Sequence, residues 1–77
     1  MSEGLGNRLN ALRGEHGLTQ AALAERVGVS RKTINTVENG VFIPSTLLAL
    51  KIARALDRPV ESIFYLDDRG VSRPEAS

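Results

Sequence analysis

The sequence predicts an all-α domain of five short helices, with the stretch IFYLDD at 63–68 able to run on as a short C-terminal strand. Two observations lead there. Apolar residues recur at helical spacing in short runs separated by glycine, proline and capping residues, and no clear sheet pattern appears. At 77 residues the chain holds one domain with a small core. Residues 1–4 are expected to be a flexible start, 5–68 the folded domain, and 69–77 a flexible, Pro-containing tail.

The first helix is expected from about 6 to 15, where Leu5, Leu9 and Leu12 recur at helical spacing, Ala11 widens the stripe and Gly17 suits a left-handed cap. Thr19 caps a second helix over 20–27, with Ala21, Leu23, Ala24 and Val27 on its inner side. Gly28 marks the turn and Val29 fills it. Ser30 then caps a third helix over 31–38 that buries Ile34 and Val37, and Asn39-Gly40 stops it. Pro44-Ser45 opens a fourth helix, apolar over much of its circumference through Leu47, Leu48, Leu50, Ile52, Ala53 and Leu56, as a central core helix would be. After Asp57-Arg58-Pro59, a short fifth helix over about 60–64 presents Val60, Ile63 and Phe64.

Composition excludes several classes of function. The chain has no cysteine, so disulfides and thiolate metal sites are ruled out, and a reducing compartment follows as the expectation. No apolar run approaches the ~20 residues that span a bilayer, and no signal-peptide pattern opens the chain. A cytoplasmic protein without membrane contact is expected. Catalysis needs convergent acid, base or nucleophilic groups. The one histidine, His16, sits at the end of the first helix where its ring can face the last carbonyls, and Asp67-Asp68 reads as a solvated pair. No phosphate loop, metal-ligand spacing or carboxylate pair occurs, so neither enzyme activity nor a cofactor or metal is expected. Net charge is only +1, so any claim of nucleic-acid binding rests on where the charges sit.

Residues 20–39, QAALAERVGVSRKTINTVEN, carry the most specific pattern. Counting from Gln20, a small residue falls at the fifth position (Ala24), glycine at the ninth (Gly28) and a branched apolar residue at the fifteenth (Ile34). Two steeply crossing helices need a small side chain where they approach, a glycine in the tight turn, and a β-branched anchor in the second helix. In such a helix–turn–helix the N-terminal residues of the second helix reach base edges. Arg31 and Lys32 can donate to guanine O6 and N7, Asn35 can read adenine or bind phosphate, and the Thr36 methyl can meet thymine. Thr33 is as much a backbone contact as a base contact. Ser30 aims the helix end at the DNA, and Gln20 opens the preceding helix, where unpaired N–H groups favour an anion.

On the motifs LTQAALAERVGVSRKTINTVENG, PSTLLALKIARAL and ESIF, the chain from about 6 to 68 resembles the Cro/C1-type (Xre-like) helix–turn–helix repressors, and among them the compact single-domain dimeric ones. The resemblance implies a lambda-repressor-like fold, base-facing roles for Arg31, Lys32 and Thr36, and a phosphate clamp at Gln20 that also braces a side chain of the third helix. It implies a second phosphate contact at Asn39 and the backbone near Gly40. Ser45 is either a third phosphate contact or an ordinary cap. It further implies a buried salt bridge between Arg13 and Glu38. Where the family often has a basic residue after the Asn-Gly turn, this chain has Val41, followed by Phe42 and Ile43. That loop either folds back on the core or adds apolar surface to a partner site.

One recognition helix reads few base pairs, so a two-fold dimer on a palindromic operator is expected, with half-sites about one turn (~34 Å) apart. Val60, Ile63, Phe64, Tyr65 and Leu66 are the expected dimer surface, against the alternative that Ile63 and Phe64 only cap the monomer core. Resembling small repressors dimerise through this region. The leading reading is a sequence-specific regulator of double-stranded DNA, a repressor that occludes its promoter. The competing one is a protein-interaction module, antitoxin-like or an antagonist's partner, with secondary DNA binding. The low net charge and the Val41-Phe42-Ile43 loop lean toward a regulatory protein partner, and the polar edge of the third helix leans toward DNA.

Overall fold

The computed structural model describes residues 4–67; of the segments expected to be flexible, 1–4 and 69–77, only Gly4 lies within that range, as the first residue of a strand, and Asp68 lies outside. The order is β1 (Gly4–Asn7), α1 (Leu9–Glu15), α2 (Gln20–Val27), α3 (Arg31–Glu38), α4 (Thr46–Leu56), α5 (Val60–Ile63) and β2 (Phe64–Asp67). The fold is thus helical, as expected, with a two-stranded antiparallel ribbon added.

The helix starts are set by side chains that satisfy otherwise unpaired N–H groups. Thr19 accepts from Ala22 N at 3.0 Å, Ser30 from Thr33 N at 3.2 Å and Ser45 from Leu48 N at 3.1 Å. At the α2–α3 turn Gly28 takes φ 77°, a left-handed conformation that costs glycine little. Val29 N–H then closes back on the Ala24 carbonyl at 3.0 Å, which satisfies the end of α2 and swings the chain into α3. Ala24 is buried, as expected for a small residue where α2 and α3 approach. The core is aliphatic: Leu9, Leu23, Ile34, Ile52, Leu56 and Ile63 are fully buried, with Val37 and Phe64 beside them.

The N-terminal strand is the main departure from expectation. Leu5 and Gly6 do not begin the first helix but pair with β2, in the register Leu5↔Leu66, Gly6↔Tyr65 and Asn7↔Phe64. Helical spacing of leucines could not reveal a partner sixty residues away. Asn7 ends the strand and anchors the start of α1, its Oδ1 accepting from Leu9 N at 3.0 Å and its Nδ2 donating to the Val37 carbonyl at 3.1 Å. Phe64 likewise leaves the fifth helix to open β2.

Burial corrects four further expectations. Ala11 and Ala21 are exposed rather than inward. α4 is not wrapped on all sides, because Leu47 and Leu50 face outward while Leu48, Ile52, Ala53 and Leu56 enter the core. The Val41-Phe42-Ile43 loop stands out of the core, with Ile43 69% exposed, because the Val41 and Phe42 N–H groups both bond the Thr36 carbonyl and hold the loop at the end of α3. Within the expected dimer surface, Ile63 and Phe64 belong to the monomer's own core, leaving Tyr65, Leu66 and part of Val60 outside. His16 behaves as expected: its Nδ1 lies 2.9 Å from the Leu12 carbonyl at the end of α1.

Candidate nucleic-acid interface

α3 has two unlike sides. Ile34 and Val37 bind it to the core, while Arg31 and Lys32 stand exposed on its first turn. Helix N-termini carry unpaired N–H groups and a partial positive charge, so these two cations extend a field that the backbone already provides. Ser30 spends its hydroxyl on the cap and on Thr33, with 3.0 Å between the two oxygens. Thr36 donates its hydroxyl to the Thr33 carbonyl at 2.9 Å, which occupies the polar end of that side chain.

Behind this edge runs a connected polar network. Arg13 Nε donates to Glu38 Oε2 at 2.6 Å, Arg13 Nη2 to Glu38 Oε1 at 3.3 Å, and Arg13 Nη1 to the Leu18 carbonyl at 2.8 Å. The expected ion pair between the first and third helices is therefore present as a two-pronged contact, and the Glu38 side chain keeps only 3% of its exposure. Asn10 Nδ2 (3.2 Å) and Gln20 Nε2 (3.0 Å) also donate to Glu38 Oε1. Burial pushes the Glu38 carboxyl toward a higher pKa, but hydrogen bonds from Arg13, Gln20 and Asn10 and the Arg13 charge outweigh it, leaving it below the ordinary glutamate value. The Arg13 guanidinium is raised, chiefly by its hydrogen bond to Glu38.

Gln20 is the junction between this network and the exposed edge. Its Nε2 also donates to Asn35 Oδ1 at 3.2 Å, and its Oε1 accepts from Arg31 Nη1 at 3.2 Å. Asn35 Oδ1 takes a further bond from Asn39 Nδ2 at 3.4 Å. Both amide hydrogens of Gln20 thus have internal partners, and the group left for an anion at this corner is the backbone of the first α2 turn. Asn35 is half-buried inside the network rather than fully at the edge.

The structure therefore brings Gln20, Arg31, Asn35, Glu38 and Asn39 into direct contact and sets Lys32 free of them on the outer turn. Ser45 lies apart at the start of α4, where it caps its own helix. Two participants were missing from the sequence reading, Asn7 and Asn10. Asn10 had a legible signal, since it lies three residues before Arg13 and shares its helix face. Asn7 had none, because its role depends on the ribbon.

Comparison with known proteins identifies the family. Residues 9–63 match the helix-turn-helix family model. An HTH-type transcriptional regulator of Methanothermobacter thermautotrophicus is 58% identical over 59 residues, covering 75% of this chain and 86% of that protein. The HTH-type regulator YgzD of Bacillus subtilis is 42% identical over 62 residues, covering 80% and 94%. Among solved structures, the restriction-modification controller protein C.AhdI of Aeromonas hydrophila superposes with TM-score 0.68 at 38% identity, covering 71% of this chain and 83% of that one. Among the described residues no helix is long and apolar enough to cross a membrane. With its motif spanning nearly all of the folded chain, this protein belongs to the Cro/C1-type helix-turn-helix family of DNA-binding transcriptional regulators.

Proposed function

We propose that the protein is a repressor that binds a palindromic operator as a homodimer, with α3 in the major groove. The observation that carries this reading is the Arg31–Gln20 contact: a cation on the first turn of α3 is held by a side chain of α2 instead of waving in solvent. A preorganised guanidinium loses less freedom on meeting a guanine, where a good bidentate pair gives roughly 1–3 kcal/mol of discrimination. Lys32 and the Thr36 methyl would read neighbouring bases. The first-turn backbone of α2, Ser30, Thr33, Asn39 and Ser45 would hold phosphates. Asn35 would act by bracing Gln20 rather than by reading a base.

A dimer follows from the small reach of one recognition helix and from exposed apolar surface. Ile43 and Leu50 line a hollow with Leu5, Val60 and Phe64, next to the exposed Leu66. A second copy seated there would bury surface that a lone domain leaves in water. Occlusion of a promoter is the simplest regulatory action for a unit of this kind, and a regulator of DNA acts in the cytoplasm. Nothing in the comparisons favours the competing protein-interaction reading.

The test is selection from a random duplex library with the wild type beside Arg31→Ala/Lys32→Ala. An inverted repeat enriched by the wild type and lost by the folded variant is the expected result. A folded wild type that enriches nothing at low salt would overturn the proposal.

A further inference from the structure

The basic residues of this protein are not equally engaged. Arg13 and Arg58 are ion-paired, with Glu38 and Glu15, Arg8 stacks over the Tyr65 ring, and Arg31 is held by Gln20. Arg26, Lys51 and Arg54 are exposed and make no ion pair with any described residue. These three converge on one open hollow of about 620 Å³ between the end of α2 and the outer side of α4. Among the described residues Glu25 is the only carboxylate that lines it.

Helix dipoles explain part of this arrangement. Arg26 lies in the last turn of α2 and Arg54 in the last turn of α4, where the partial negative charge of the helix end favours a cation. They do not account for Lys51, which sits in the middle of α4, nor for the meeting of all three around one hollow. Even with Glu25 beside them, the three cations leave the hollow with an excess of positive charge in a chain of net charge +1, which favours a further anion there.

Lys51 also lines a second hollow, of about 250 Å³, together with Thr33 and Ser45. It thus links the basic cluster to the flank of α3 and the start of α4, where phosphates are proposed to lie. Meanwhile the loop between α3 and α4 offers Val41, Phe42 and Ile43 and no cation. From this continuity we infer that Arg26, Lys51 and Arg54 form a phosphate-binding track for the DNA backbone flanking the segment read by α3. The inference rests on the proposed DNA-binding role of α3. The track adds affinity and register without base preference, and it supplies positive charge that the α3–α4 loop lacks.

The test compares the wild type with Arg26→Gln/Lys51→Gln/Arg54→Gln, and with Lys51→Gln alone, on two duplexes. One holds only the enriched operator; the other adds roughly ten base pairs, one helical turn, on each side. Binding is measured across a salt series, with thermal melting as the check on folding. The wild type should bind the longer duplex more tightly and with a steeper salt dependence. The triple variant should lose that gain, its log–log salt slope falling by about 0.9 for each phosphate contact removed, with the selected sequence unchanged. Lys51→Gln should give part of the effect. If the wild type binds both duplexes alike, or the folded triple variant keeps the full gain, the track is overturned while the role of α3 stands; the basic hollow would then suit an acidic protein segment. If the wild type binds neither duplex, the DNA-binding reading fails and the track with it.

Discussion

Gln20 donates to Glu38 across the α2–α3 crossing at 3.0 Å, and that one bond decides which way the Gln20 amide faces. An ionised carboxylate can only accept, so Nε2 must point at Glu38 and Oε1 must point at Arg31. The buried ion pair of the scaffold is thereby connected to Arg31 at the exposed edge proposed to meet DNA. Gln20→Met keeps the length of the side chain and removes all three of its hydrogen bonds, to Asn35, Glu38 and Arg31. It is expected to cost about 1–3 kcal/mol in denaturant unfolding, since two of the lost partners, Glu38 and Arg31, are charged. It should also weaken operator binding and relax base preference at the Arg31 position. A double-mutant cycle with Arg31→Ala checks this: the two changes should be clearly less than additive for binding, and full additivity would show that Gln20 does not act through Arg31.

Arg13 and Glu38 set a stability limit at low pH. The Glu38 carboxyl is depressed in the folded protein, so its contribution to stability is present above the ordinary glutamate value of about 4.3 and is lost as pH falls through the lower folded value. Unfolding free energy should therefore decline below about pH 4.3, and Glu38→Gln should show a shallower decline over the same range. At neutral pH, Arg13→Met should cost on the order of 3–5 kcal/mol, because it strands a carboxylate that is almost fully buried. Loss of DNA binding in that variant would report unfolding rather than a missing contact, which circular dichroism would show directly.

The ribbon depends on Gly6 having no side chain. A Cβ there would overlap the ring of its cross-strand partner Tyr65, which also carries Arg8 stacked 4.7 Å above its centre. Gly6→Ala must push the outer end of this ring aside, and because the ring is exposed the cost should be at most about 1 kcal/mol, the low end for overpacking. Thermal melting should show a clear loss for Gly6→Ala and a much smaller one when it is combined with Tyr65→Ser. Equal losses in the two backgrounds would mean the ring is not the obstacle.

Much of this fold was legible in the sequence because it is written in local signals. Thr19, Ser30 and Ser45 cap the helices they precede, Gly28 turns where the pattern requires it, and Ile34 and Val37 are buried at helical spacing. The features that escaped were set by distant partners. The pairing of Leu5 with Leu66 is invisible to any local window, and with it went the true start of the first helix. Leu47 and Leu50 read as core because apolar residues on a central helix are expected to be buried, yet helices cover only one side of α4. At the candidate site, Arg31 and Lys32 are exposed on the first turn of α3, as their place after the Ser30 cap implies. The internal partners of Asn35 and Gln20 came only from the crossing of α2 over α3.

The exposed apolar side of the domain provides the last prediction. Leu50 is 54% exposed and Ile43 69%, and both line the hollow that also contains Leu5, Val60 and Phe64. A surface leucine that touches little in its own monomer can become lysine for within about 0.5 kcal/mol of monomer stability. If the hollow is the seat of a second copy, the same change places a charge in an apolar contact and leaves it unpaired. Leu50→Lys should therefore melt as a folded domain yet sediment as a monomer at concentrations where the wild type is a dimer. Tyr65→Ser, at the site first expected from the sequence, should disturb association less than Leu50→Lys. A wild type that sediments as a monomer at every concentration would remove the dimer altogether. A Leu50→Lys dimer as strong as the wild type would return the interface to Tyr65 and Leu66.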